Sequence, residues 1–397
     1  MLDAFAVTQI RKALRAAIDS HEIAGANLLV MHKGEELLYH EDGMADIEAN
    51  RPIRRDSLFR LYSMSKPITA AAVMALFESG LLDLNEPVSK FLPGFKNQKV
   101  AAKGKLVPAE REVTIHHLLS MTSGLVYGGD DPAGQATEAL FREVDERLPG
   151  ENPMGTVELA NRLGACPLAF QPGSSWQYGT SADVLGAVVE VVSGKRFGEF
   201  LHETFFDPLE MKDTGFWLTE AHQDGRMAST YTDLGPQLPM ARYEGNHLGI
   251  IHSMDRAPAF ESGGAGLVSS LDDYARFGQM LLNGGSWEGR QILRPATVAY
   301  YGGSTLNAAQ QPGFIERFGM HGYSYGNLMR VLTDPSRAAV VGSPGEYGWD
   351  GWLGCYFCNC PQDRLTFLLM MQRKDSGTMP ITRKLRNIVL AALRGEA

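Results

Sequence analysis

The two ends of the chain mirror one another. Near the start, Leu2, Phe5, Ala6, Ile10, Leu14 and Ile18 form one apolar stripe of a helix. That stripe leads into 26-ANLLVMHKGEELLYHEDG-43, where ANLLVM and ELLYH flank a polar His32-Lys33-Gly34 turn. Near the end, LGCYFCNC and LTFLLMMQ flank Pro361-Gln362-Asp363-Arg364, and a helix follows over about 380–394. Helix then hairpin at one end, and hairpin then helix at the other, predict one antiparallel sheet completed by both termini. Helices are expected on one or both of its faces.

The middle of the chain reads differently. The segments 67-PITAAAVMALFESG-80, 115-IHHLLSMTSG-124, 182-ADVLGAVVEVVSG-194 and 271-LDDYARFGQMLLNGG-285 are helical in pattern and each stops at glycine. The last is preceded by Ser270, with Asp273 three residues on, as in a capping box. Residues 220–260 are rich in Gly, Pro, Asp, His and Asn with little periodicity, which predicts loops that act as a lid or pocket wall. The chain of 397 residues has room for two or three domain-sized units. The expected fold is α/β of the α+β kind, with a sheet domain from 1–80 and 255–397. A mainly helical domain (81–254) is inserted between them.

A net charge of −9 and a pI near 5.6, with no basic cluster, argue against nucleic acid or an anionic membrane as partner. The first twenty residues lack a signal-peptide pattern and no apolar run is long enough to span a bilayer, so a cytoplasmic protein is expected if residue 1 is the native start. Three of four cysteines lie in 355-CYFCNC-360. A metal site would need a second group of ligands, and the alternation with large apolar residues fits a buried strand, so small buried thiols and no metal are expected.

One stretch, 322-GYSYG-326, has the G-x-S-x-G form of a nucleophile elbow. An elbow needs a helix after the serine and a histidine later in the chain. The last of the ten histidines is His321, and 327-NLMRVLTD-334 does not read as a packed helix. Ser324 therefore reads as part of a strand and turn.

The other candidate is 63-SMSK-66, an S-x-x-K that opens an Ala-rich segment with Pro67 in its first turn. At i and i+3, Ser63 and Lys66 share one helix face. Serine becomes a useful nucleophile when a base takes its proton, and a lysine desolvated among Pro67, Ala70, Ala71 and Ala72 could be that base. A solvated Ser and Lys at a helix start fit the segment equally well. Tyr178, in SSWQYGT, reads either as a site residue or as a ring packed under a loop.

The run SMSKPITAAAVMALFESGLLDLNEPVSKFLPGF resembles the start of the penicillin-binding-protein and serine β-lactamase superfamily. It is most similar to the family VIII carboxylesterases, which are related to class C β-lactamases. Further matching pieces follow in order: 115-IHHLLSMTSGL-125, 178-YGTSADVLGAVVE-190, 261-ESGGAGLVSSLDDYARFGQMLLNGG-285 and 345-GEYGWDGWLG-354. The resemblance implies Ser63 as acylated nucleophile, Lys66 as its proton partner and Tyr178 sharing the base role. For that role the phenol would need a neighbouring positive charge such as Lys66. It implies serine esterase activity on small neutral carboxylic esters, with no cofactor or metal. Transfer to an alcohol, weak β-lactam hydrolysis, or a non-catalytic binding role are the alternatives.

Two departures stand out. Where β-lactamases carry K-T-G, this chain has 349-WDG-351: Trp349 removes a positive charge and would add an apolar wall beside Gly351. The backbone N–H of Trp352 would pair with that of Ser63 as an oxyanion hole. Asp350 should face away from Trp349 by strand alternation. Thr180 stands where relatives have Asn, so its polar contact to the site could be lost. His116-His117 read as helix packing, Asp183 as helix support, and 262-SGGAG-266 as either a close backbone passage or a turn.

Overall fold

The computed structural model describes residues 2–102, 104–219, 225–235 and 238–394. Parts of the expected lid loops, 220–224 and 236–237, lie outside them.

Both terminal hairpins form and meet. Strands β1 (Gly25–His32), β2 (Glu35–Asp46) and β3 (Arg51–Pro52) come from the start of the chain. Strands β4 (Tyr323–Gly326), β5 (Met329–Leu332), β6 (Tyr347–Asp350), β7 (Tyr356–Cys360) and β8 (Leu365–Met371) come from its end. They make one eight-stranded sheet, in the order β4-β5-β6-β7-β8-β1-β2-β3. Every pairing is antiparallel. The seam between the two ends is β1 against β8, with Leu28 opposite Leu369 and Leu29 opposite Leu368.

Side chains alternate across that seam, so each face of the sheet feeds a separate core. Leu28, Val30, Phe367 and Leu369 pack with Ile10 and Leu14 of helix α1 (Ala4–Asp19) and with Leu385 and Val389 of the last helix, Pro380–Arg394. Leu29, Phe357, Leu368 and Met370 face the larger core, shared with the other helices. Phe5 departs from the predicted stripe: it is 72% exposed, and Ala6, Ile10, Leu14 and Ala17 make the contact instead. Position 5 lies just outside the narrow arc that α1 turns to the sheet.

Three inner helices carry the middle of the molecule. Helix α2 (Lys66–Glu78) follows a short 3-10 turn, Tyr62–Ser65, and holds Pro67 in its first turn. It is apolar all round and buried on nearly every side, which suits a helix enclosed by others. It packs on α3 (Ser181–Ser193), which ends at Gly194 in a left-handed conformation. Helix α4 (Leu271–Leu282) lies against β8. Its predicted capping box is half made. The Ser270 hydroxyl accepts from the Asp273 N–H, but the Asp273 carboxylate is taken by the Asp213 N–H and the Thr214 hydroxyl. The helix expected over 115–124 closes at Leu119, because Met121 adopts a positive φ of 56°.

Among the described residues, no helix is long and apolar enough to cross a membrane.

Candidate active site

Ser63 and Lys66 come together as their spacing predicts. The 3-10 turn leads into α2, so the two side chains lie on one side, with Lys66 Nζ 3.0 Å from Ser63 Oγ. Ser63 is partly exposed, whereas Lys66 is fully buried. Burial is the main force on the ammonium and pushes its pKa down to about 7, against the pull of the Asp183 and Asp350 carboxylates. Burial thus favours the free amine over the ammonium.

Two further groups fix the direction of that amine, and neither was visible in the sequence. Lys66 Nζ lies 2.8 Å from the Gly264 carbonyl and 3.2 Å from the Tyr127 hydroxyl. A carbonyl only accepts, so one N–H is committed to Gly264, and the free amine's other N–H and lone pair are divided between the Ser63 and Tyr127 hydroxyls. The Gly264 peptide is itself held from behind. Its N–H donates to Asp183 Oδ1 at 3.0 Å, and the same oxygen accepts from the Ser262 hydroxyl at 2.5 Å. Asp183 thus supports the 262–266 loop rather than only its own helix. A Cβ at Gly263 would run into the Ala182 carbonyl, which is why this passage is glycine.

Tyr178 stands opposite. Its ring lies 4.7 Å from Lys66 Nζ, and its hydroxyl accepts from Trp349 Nε1 at 3.0 Å and is hydrogen-bonded to Ser63. Burial drives its pKa well above the ordinary phenol value, and the bonds from Ser63 and Trp349 offset this only in part. Burial thus works against the phenolate that a share in the base role would require, and desolvation draws the lysine beside it toward its own neutral form.

The strand carrying Trp349 is pressed against the serine segment. A Cβ at Gly351 would run into the Leu61 carbonyl, so only glycine lets β6 approach this closely. Among the described residues, the backbone N–H groups of Ser63 and Trp352 meet no protein acceptor, leaving both available to a substrate oxygen. Trp349 is not an open wall. It is 1% exposed, enclosed by the rings of Tyr178, Phe318 and Tyr325. The aromatic surface by the serine belongs to Trp352, which stacks on His247 at 4.1 Å and meets Tyr62 edge-on at 4.9 Å. His247 brings its own loop against Trp352.

Thr180 is fully buried at the start of α3, and its hydroxyl has no hydrogen-bond partner among the described residues, in keeping with the loss of the polar contact expected there. Asp350 turns away from Trp349 as alternation predicts, toward Arg330 at 3.5 Å and the Thr378 hydroxyl. Ser324 is far from a nucleophile's environment. It is buried in β4, donating to Gln311 at 2.8 Å and accepting from the Leu306 N–H at 3.0 Å. His117 caps its own helix through Nδ1 to the Thr114 N–H. Cys358, Cys360 and Glu346 cluster in the core, but the Arg386 guanidinium already occupies the carboxylate.

A family model described as Beta-lactamase matches residues 10–391. The chain is similar to Esterase EstB of Burkholderia gladioli, with 35% identity over 94% of this chain and 93% of the relative. Among solved structures it is similar to EstCE1, "a hydrolase with promiscuous acyltransferase activity", with a TM-score of 0.80 and 26% identity over 97% of this chain and 98% of the other. A family VIII carboxylesterase superposes with a TM-score of 0.69 at 21% identity, covering 100% and 98% of the two chains.

Proposed function

The chain belongs to the beta-lactamase family, and from that membership and the site we propose that it is a serine esterase acting on small carboxylic esters. The observation that carries the reading is the fully buried Lys66 with its Nζ 3.0 Å from Oγ of the partly exposed Ser63.

In this mechanism Ser63 Oγ attacks the ester carbonyl carbon and its proton passes to the Lys66 amine. The carbonyl oxygen gains negative charge as the tetrahedral centre forms, and the Ser63 and Trp352 N–H groups receive it. Collapse breaks the bond to the alcohol oxygen, which leaves with a proton supplied through Tyr178 or Lys66. The products are the free alcohol and an acyl-Ser63 ester. Water then repeats the cycle: its proton goes to the same amine, the acyl–oxygen bond breaks, and Ser63 regains its hydrogen. An alcohol in place of water would give acyl transfer. The similarity to EstCE1 supports testing that route by product analysis with added alcohol.

The assignment of a sheet domain (1–80 and 255–397) and a helical insertion (81–254) belongs to the same proposal. Ser63, Lys66 and Trp349 would come from the first, and Tyr127 and Tyr178 from the second. Four free cysteines, three of them buried, support a reducing, cytoplasmic setting.

The test is covalent labelling. A p-nitrophenyl phosphonate should add one phosphonyl group per chain, found by peptide mass spectrometry on Ser63. Label on another serine, or none on folded protein, would reject the mechanism.

A further inference from the structure

A turn outside the ester site holds Trp352 in place. Strand β8 ends at Met371, and the chain then turns over 373–376. Two backbone N–H groups of this turn grip the residues after Gly351: Ser376 donates to the Trp352 carbonyl at 3.0 Å and Arg373 to the Leu353 carbonyl at 2.8 Å. A side chain makes a third bond. Asp375 Oδ1 accepts from the Trp352 indole N–H at 2.6 Å, while its Oδ2 accepts from Lys374 Nζ at 2.7 Å. The turn is itself anchored, by the Lys374 N–H on the Tyr231 carbonyl at 2.8 Å and by the Arg373 guanidinium on Asp233 at 2.6 Å.

The backbone and the packing at position 375 do not call for an aspartate. Asp375 adopts a positive φ of 58°, a conformation that glycine reaches with less strain. Its side chain is 63% exposed, so it fills no core. What the carboxylate adds is the bond to the indole, strengthened by the charge on its acceptor. The indole is otherwise located by rings: His247 at 4.1 Å, Tyr62 at 4.9 Å and Tyr243 at 5.8 Å. Rings in contact can slide past one another, whereas a hydrogen bond weakens steeply as it bends. Indole and peptide N–H belong to one residue, so fixing the ring restricts the peptide. The Trp352 backbone N–H meets no protein acceptor among the described residues, and its aim depends on these supports.

We propose that Asp375 is a positioning residue of the oxyanion hole: by holding the Trp352 indole, it aims the Trp352 backbone N–H at the carbonyl oxygen of an ester attacked by Ser63. The inference rests on the esterase reading above and adds to it a residue that acts through another. The charge this donor meets develops only as the tetrahedral centre forms, so a misaimed donor lowers kcat and leaves KM nearly unchanged.

The test is steady-state hydrolysis of p-nitrophenyl butyrate, with a thermal melt of each variant. Asp375→Gly removes the acceptor and relaxes the positive φ, so a merely structural role predicts unchanged kinetics and an equal or higher melting temperature. The positioning role predicts kcat about tenfold lower with KM within about twofold. Asp375→Asn tolerates the same φ and keeps an acceptor oxygen, so kcat should return to within about threefold of wild type. Trp352→Phe keeps the peptide N–H and loses the indole donor; it should match Asp375→Gly, and the double variant should be no slower than either. Unchanged kcat in Asp375→Gly, a change in KM alone, an Asn variant as slow as the Gly variant, or losses that multiply in the double variant would overturn the role. Should Asp375→Gly fail to fold, Trp352→Phe decides: a loss of about tenfold in kcat at constant KM supports the role, and unchanged kcat rejects it. Should wild type react only with the phosphonate, the same comparisons are made on its labelling rate. Wild type that neither hydrolyses the ester nor takes the phosphonate on Ser63 rejects the esterase reading and the inference with it. An active wild type matched by Asp375→Gly rejects the inference alone.

Discussion

The indole N–H of Trp349 donates to the phenolic oxygen of Tyr178 across 3.0 Å. An indole nitrogen cannot accept, so Tyr178 must turn its own hydrogen elsewhere, and the Ser63 hydroxyl is bonded to it. A lysine at position 349 would bring a charge that draws the phenol toward phenolate. Tryptophan brings the donor without the charge, and burial keeps the proton on Tyr178. In the proposed mechanism, proton abstraction from Ser63 then falls to Lys66.

Trp349→Phe keeps an aromatic ring but removes that donor. We expect kcat on p-nitrophenyl butyrate to fall about tenfold with a smaller change in KM. The loss corresponds to a hydrogen bond of about 1–1.5 kcal/mol. Steady-state kinetics beside a thermal melt separate this from misfolding; a KM effect alone would contradict it.

The pH profile should have one acid limb. With the Lys66 pKa brought down to about 7, kcat/KM should rise with pH through that value and level off above it. The Asp183 carboxylate raises the Lys66 pKa, so Asp183→Asn should move the limb to lower pH. Lys66 also faces Ser63, Tyr127, Tyr178 and Asp350, and Asp350→Asn should shift the limb the same way. A limb that stays in place in both variants would mean another group titrates. The sign for stability also follows: a depressed folded pKa means the unfolded chain binds more protons between about pH 7 and 10. This contribution therefore makes folding more favourable as pH rises through that window.

Two serine variants separate the two motifs. Ser63→Ala should lower ester hydrolysis by about a thousandfold or more. Ser324→Ala should retain activity while losing its bonds to Gln311 and Leu306, a cost of about 1–2 kcal/mol in urea unfolding. The reverse pattern would make Ser324 the nucleophile.

Gly351→Ala tests the close approach of β6 to the serine segment. Its methyl would meet the Leu61 carbonyl, so the strand must withdraw. Strain of about 1–3 kcal/mol should appear in the melt. Activity should fall further than stability, because the Trp352 N–H moves away from Ser63.

What could be read from the chain was local or periodic. Ser63 and Lys66 meet because three residues span a turn, and the terminal hairpins form because apolar alternation brackets polar turns. Tyr127 and Gly264 reach Lys66 from 61 and 198 residues away. A lone tyrosine in a loop and a glycine carbonyl carry no periodic signal. Trp349 could be placed on a strand, but the rings of Tyr178, Phe318 and Tyr325 that enclose it come from three separate segments. Its burial therefore emerges only on packing. The direction of Asp350 follows from alternation alone, and there the strand rule sufficed.

The seam between β1 and β8 also has a consequence in time. Leu28 and Leu369 are partners separated by about 340 residues. At a synthesis rate of ~5–20 residues per second, the first strand waits roughly 17–70 s for its neighbour to be made. Throughout that interval the β1–β2 hairpin shows an unpaired, strongly apolar edge. The nascent chain should therefore depend on holdase chaperones, and truncation before residue 365 should yield aggregates rather than a smaller folded protein.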